Sequence, residues 1–189
     1  MRRATDLSRF ARRLLAAEPG LLPAARVHAP VGADEIRAEL ATANAADETS
    51  LKRVLRNLRK RVMLRLITRD LGGLATLDEV VATVTVLADM AIASAVAHLE
   101  RRLAAEYGEP VGKASGHIQK LHVVAMGKLG GNELNVSSDI DLVFLYPEEG
   151  EIPGARPLSN HEYFIRFARR LIAMLDEVTA DGYVFRVDV

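Results

Sequence analysis

The stretch GKLGGNELNVSSDIDLVF, residues 127–144, sets Asp139 and Asp141 one residue apart at the start of an apolar run, with Gly127, Gly130 and Gly131 just upstream. Side chains alternate along an extended strand, so the two carboxylates share one face while Ile140, Leu142 and Phe144 point the other way. At about 5 Å and an effective dielectric near 20 such a pair repels by roughly 3 kcal/mol. A proton on one acid or a cation held by both relieves that. Hard oxygen donors with no His or Cys close in sequence favour Mg²⁺ or Mn²⁺ over zinc. A third acid, Asp188, lies in the later run GYVFRVDV, residues 182–189, and joins the pair if the two strands adjoin. Three acids can hold two metal ions about 3.5–4 Å apart, one activating a nucleophile and one steadying a leaving phosphate oxygen. This is chemistry suited to phosphoryl or nucleotidyl transfer.

The glycines upstream suit the same chemistry, because they let backbone N–H groups come close to an anion. Gly127, Lys128, Gly130, Gly131 and Ser138 are the candidate phosphate contacts. Arg186 shares a strand face with Asp188 and can either meet an incoming phosphate or form an ion pair. GKLGGNE is neither a nucleoside-triphosphate P-loop nor a dinucleotide fingerprint, since it lacks the Gly-x4-Gly-Lys-Ser/Thr pattern and leads into a strand rather than a helix. The five histidines, His28, His98, His117, His122 and His161, are scattered without ligand spacing.

The elements that must position these residues follow from periodicity and punctuation. Helices are expected over 6–17, 34–45 and 47–70, the last with Leu51, Val54, Leu55, Leu58, Val62 and Leu66 in one stripe. The Pro-containing stretch up to Val31 reads as loop. Thr76 and Glu79 form an expected capping box opening a helix to about Tyr107, stopped by Gly108 and Pro110. Strands are expected at 120–126, 139–146 and 182–189, with loops at 127–138 and 150–160 and a helix capped by Asn160 and running to about Thr179. The fold class is α+β: a helical region, 1–110, then a β-loop-β-α-β core, 111–189. A chain that finishes inside a strand is expected to be a fragment, with its core incomplete at the C-terminus.

Composition narrows the setting. The 189 residues are 49% hydrophobic, enough for a sizeable core, and include no cysteine, which excludes disulfides and thiolate metal sites and favours a reducing, cytoplasmic location. The first residues carry charges throughout, unlike a signal peptide or membrane span, so a soluble protein is expected. The net charge of zero hides 15 Lys+Arg against 8 Asp+Glu in residues 1–70 and 10 against 17 in residues 71–189. The basic run KRVLRNLRKRVMLRLITR has leucines at helical spacing and arginines between them. It is expected to be a solvated helix face ahead of a nucleic-acid surface or a dock for an acidic partner.

Gly127-Lys128 followed after ten residues by Asp139-Ile140-Asp141 resembles the DNA polymerase β-like nucleotidyltransferases, whose signature is Gly-Ser, a spacer, Asp-x-Asp and a third acid on a later strand. Lysine stands at 128 where that superfamily usually has serine. The whole of GKLGGNELNVSSDIDLVF, together with RDLGGLATLDEV and GYVFRVD, is more specifically similar to the bifunctional glutamine synthetase adenylyltransferase/adenylyl-removing family, over roughly residues 50–189. That resemblance implies a polymerase β-like sheet, two Mg²⁺ on Asp139, Asp141 and Asp188, and phosphates of ATP or ADP at the glycine turn. It also implies glutamine synthetase as protein substrate, and a nitrogen-sensing signalling protein as partner of the full-length enzyme. ELNVSSDIDL close to Met1 resembles the N-terminal domain, which removes AMP from a tyrosine by phosphorolysis. No nucleic-acid or membrane partner is expected. Two other classes stay open: an enzyme that adenylylates a small molecule of the antibiotic type, and a catalytically idle module that binds nucleotide or docks a partner.

Overall fold

The computed structural model describes residues 2–43, 45–153 and 158–189. Two capped helices organise its first half. The Asp47 carboxylate accepts from Ser50 N at 2.7 Å while the Ser50 hydroxyl accepts from Asp47 N at 3.0 Å, and α4 (Glu48–Leu71) starts from this reciprocal cap. Thr76 caps α5 (Leu77–Tyr107), which Gly108 ends at φ 95°. The capping box expected there is only half made. The Glu79 carboxylate turns instead to Arg69, at 2.6 Å from Nε and 2.9 Å from Nη2, because a forked guanidinium is a better partner than one backbone N–H.

Upstream, the expected helix over 6–17 is two helices, α1 (Arg2–Leu7) and α2 (Arg9–Ala17). Ser8 breaks them by accepting from Ala11 N and capping the second. A 3₁₀ turn, Ala24–His28, interrupts the expected loop, and α3 (Ala33–Thr42) is shorter than the expected 34–45, of which Asn44 lies outside the described residues.

The basic run of α4 is a solvated face only in part, with Arg53 exposed and Lys52, Arg59, Lys60 and Arg61 half-buried, which corrects the expectation from its charge. Arg56, Arg65 and Arg69 are buried at 1%, 5% and 4% exposure. Each directs donors to backbone carbonyls of neighbouring segments, as Arg65 does to Ala29 O at 2.9 Å and Pro30 O at 3.0 Å. Arg69 likewise reaches Val27 O and Leu74 O. Guanidinium groups thus pin the loops on either side of the helix. α5 is long and apolar enough to cross a bilayer by length and composition alone, but half of its most apolar stretch is buried among the protein's own elements. It packs on α3, α4 and α7 (Asn160–Asp176).

The second half carries two small sheets. β2 (His122–Ala125) pairs antiparallel with β3 (Ile140–Leu145), with Val124 opposite Val143 and Ala125 opposite Leu142. β6 (Val187–Asp188) joins the other edge of β3 in parallel. β1 (Val111–Gly112), β4 (Gly150–Ile152) and β5 (Leu158–Ser159) form an antiparallel sheet, the last two within the expected loop 150–160. Residues 154–157 of that loop lie outside the described residues. The glycine loop contains a single helical turn, α6 (Gly127–Gly130). The third strand is two residues long rather than eight, because Val184 N and Phe185 N both donate to Leu175 O at the end of α7 and hold that backbone out of the ladder.

Ser159, not Asn160, caps α7 by a reciprocal bond with Glu162. The buried Asn160 amide donates to Val111 O at 3.1 Å and Glu148 O at 3.0 Å, fastening the small sheet to the helix start. Phe164, Phe167, Leu171 and Leu175 face inward. One apolar cluster runs from Val31 through α4, α5 and the inner face of β3 to Phe185, so the strand edge bearing the aspartates rests on a helical platform.

Candidate functional site

Ile140 and Leu142 are 0% and 2% exposed while Asp141 between them is open to solvent. Burial of the apolar pair fixes which face of β3 the carboxylates occupy, since a slip of one residue would bury the acids. Asp139 stands just before the strand on the same side. β6 pairs Ile140 with Val187 and Asp141 with Asp188, so Asp188 lies laterally beside Asp141. Ile140 N donates to Arg186 O at 3.0 Å, which puts Arg186 beside Asp139, and the two side chains form an ion pair.

Gly127 has φ 52°, and a Cβ there would fall well inside the van der Waals radius of Asp141 Oδ2. Glycine is required twice over, for the left-handed backbone and for the space next to the carboxylate. Gly130 serves a different purpose: a Cβ would sit 2.5 Å from Ala125 O, so its bareness lets α6 lie against the end of β2. Gly130, Gly131 and Arg186 are not among the residues lining the cleft, a space of about 470 Å³ walled by the three aspartates, Gly127, Lys128 and Ser138.

Asn135 and Ser137, not among the candidate contacts, complete that wall. Asn135 Oδ1 accepts from the Ser138 hydroxyl at 2.8 Å and from Ser137 N at 3.4 Å, an Asx turn that shapes the rim. An Asn two residues before a serine pair was the available signal. Ser138 is thereby engaged in holding the loop, and Lys128 is exposed at the cleft edge. Of the histidines, His98 is buried in α5, where desolvation lowers its pKa, and it lines no part of the cleft.

The donor set fits a hard divalent cation: carboxylate oxygens from adjoining strands, with bare backbone at Gly127 leaving room beside Asp141. Among the described residues no three acidic or imidazole groups are gathered into a cage for an ion, and Asp139 is paired with Arg186. Asp141 and Asp188 have no salt-bridge partner among the described residues. Gly127→Ala tests the fit directly. We expect activity to fall at least about tenfold with a stability cost of about 1–2 kcal/mol from the left-handed backbone, read by turnover and thermal melting; unchanged turnover would mean that the space beside Asp141 is not used.

The family model for glutamate-ammonia ligase adenylyltransferase matches residues 1–189, and the chain belongs to that family. It is 50% identical over 188 residues, 96% of the chain, to the bifunctional glutamine synthetase adenylyltransferase/adenylyl-removing enzyme of Nitrosomonas eutropha. It is 53% identical over 182 residues to the protein of the same name in Ralstonia nicotianae, covering 95% of the chain, and 48% over 189 residues to that of Chromobacterium violaceum, covering 99%. The chain spans about a fifth of the length of these relatives, 20%, 18% and 21% respectively.

Proposed function

We propose that residues 111–189 contribute a polymerase β-like nucleotidyltransferase core and that the chain acts on adenylylated glutamine synthetase, removing AMP from a tyrosine by phosphorolysis. The observation that supports this best is the lateral pairing of Asp141 with Asp188 across β3 and β6, beside a cleft whose backbone is bare at Gly127. Two like charges side by side at a strand edge are unfavourable unless a cation joins them. The family membership supports the adenylyl chemistry and glutamine synthetase as the substrate.

In this reading Asp139, Asp141 and Asp188 would hold Mg²⁺, two ions for three acids, whose charge would draw in phosphate oxygens and offset the negative charge that builds up during transfer. The chain's own groups orient the reactants. Gly127 lets a phosphate oxygen reach the backbone, Lys128 brings positive charge to the rim, and the Asn135–Ser138 turn keeps that rim in place. An oxygen of inorganic phosphate bonds to the AMP phosphorus, the bond from phosphorus to the tyrosyl oxygen breaks, that oxygen takes up a proton, and ADP leaves. No protein nucleophile is needed, so positioning does the work. Control by a nitrogen-sensing protein belongs to the same proposal for a full-length enzyme.

The test is to mix the 189-residue chain with adenylylated glutamine synthetase, Mg²⁺ and inorganic phosphate, and to measure nucleotide release by chromatography. ADP formation that requires phosphate is expected. AMP in place of ADP, transfer only to small hydroxylated compounds, or no release where the Chromobacterium violaceum relative gives ADP would each overturn the assignment.

A further inference from the structure

We infer that Arg186 is the resident counter-ion of Asp139 and competes with the divalent metal for it, so that filling the metal site frees a guanidinium for the phosphate. The inference rests on the metal reading above and adds an ordering to it. Across the β3/β6 ladder the outward residues meet in two lateral pairs of opposite character. Asp141 faces Asp188, a pair of like charges, while Asp139 meets Arg186, a pair of unlike charges. The sequence produces this directly, because Asp-Ile-Asp and Arg-Val-Asp place their polar side chains on alternate residues and register aligns Ile140 with Val187.

The two pairs offer a cation different terms. Asp141 and Asp188 form no salt bridge among the described residues, with Lys128 standing at the rim of the same cleft, so an ion gains both carboxylates at once. Asp139 Oδ1 is screened from water, makes no well-aligned hydrogen bond, and has the guanidinium as its partner. An ion that needs all three carboxylates must displace Arg186. With 60% of the arginine side chain and 37% of the aspartate exposed, the pair is weak enough for a divalent ion to open. It is still strong enough to reduce metal affinity measurably. The displaced guanidinium, with five donors in a planar fork, is suited to phosphate oxygens. Metal binding and anion binding therefore help each other, and the coupling is reciprocal.

Mn²⁺ is the probe, titrated into the 189-residue chain and followed by the spectrum of the free ion, so no turnover is needed. Arg186→Ala and Arg186→Gln are expected to bind Mn²⁺ roughly 3–10-fold more tightly than wild type, the range that loss of an exposed counter-ion allows. With Mn²⁺ saturating, both variants should bind inorganic phosphate roughly tenfold more weakly, as loss of a charge-assisted fork predicts. Mn²⁺ affinity that is unchanged or weaker in both variants overturns the inference. Asp141→Asn separates the two readings. If wild type binds Mn²⁺, Asp141→Asn abolishes that binding and the arginine variants match wild type, only the role of Arg186 falls. If wild type binds no Mn²⁺, the metal reading and this inference fall together.

Discussion

Asp141→Asn is expected to lower phosphate-dependent ADP release by about 10²–10³-fold, the scale on which preorganised charge at a transfer site acts, without unfolding the protein. Asparagine keeps the size of the side chain and one oxygen but removes the charge that repels Asp188 and attracts a cation. In the absence of metal the neutralised variant should therefore melt no lower than wild type, and slightly higher if the lateral repulsion is felt. Wild type should gain melting temperature on addition of Mg²⁺ through preferential binding to the folded state, and the variant should lose most of that gain. The two melting curves and the turnover assay answer separate questions. Turnover within tenfold of wild type would remove Asp141 from the metal site. A large fall in melting temperature without metal would make the residue structural, a role its exposed position on β3 does not suggest.

The acids were legible early because their signal is local. Asp-Ile-Asp between buried apolar neighbours fixes two carboxylates on one face whatever surrounds the strand, and β3 has that alternation. Asp188 needed tertiary information, because its place beside Asp141 depends on a parallel pairing between residues 47 positions apart. The choice for Arg186 between phosphate contact and ion pair was likewise set by register, which composition does not reveal. The glycine turn was read as one cradle, yet its members do different work: Gly127 clears space at the carboxylate, whereas Gly130 clears space between α6 and β2. A glycine's missing side chain looks identical in both settings until its neighbours are known.

The remaining errors share a cause. Thr76 and Ser159 both open helices, but Glu79 preferred a guanidinium from α4 and Asn160 preferred two carbonyls of the small sheet. Capping rules rank local partners and are blind to better ones delivered from far along the chain. Strands of two or three residues, as in β1, β4 and β5, are too short to show a period. The arginines of α4 are the largest case. Helical spacing marked its leucines as inward, and an arginine between them was assigned to water, because sequence does not record which carbonyls end a neighbouring helix without partners.

Arg56 carries that lesson into a measurable outcome. Its Nε donates to Gly182 O at 2.8 Å, its Nη1 to Met174 O at 3.0 Å and Lys52 O at 3.1 Å, and its Nη2 to Glu177 O. One guanidinium thus satisfies the last carbonyls of α7 and the turn that leads back to β6. Burial pushes its pKa down, with Glu177 and Asp181 acting in the opposite sense, and it remains charged across the ordinary pH range. Arg56→Met keeps most of the apolar stem and removes every donor; Gly182 O keeps Thr179 N and Oγ1, so the loss falls on Met174 O and Glu177 O, at about 1–3 kcal/mol each before water enters. We expect a loss of about 3–5 kcal/mol, at the upper end for single substitutions, or roughly 8–15 °C in melting temperature for a chain of this size. Arg56→Lys, with a compact ammonium that reaches fewer of these oxygens, should fall between. The consequence extends to the site, because the 177–182 turn sets where β6 begins and hence where Asp188 meets Asp141. Arg56→Met should therefore also weaken Mn²⁺ binding at temperatures where the protein is still folded. A melting temperature within about 2 °C of wild type would mean that water replaces the guanidinium at no cost and that α4 does not hold the aspartate-bearing edge in place.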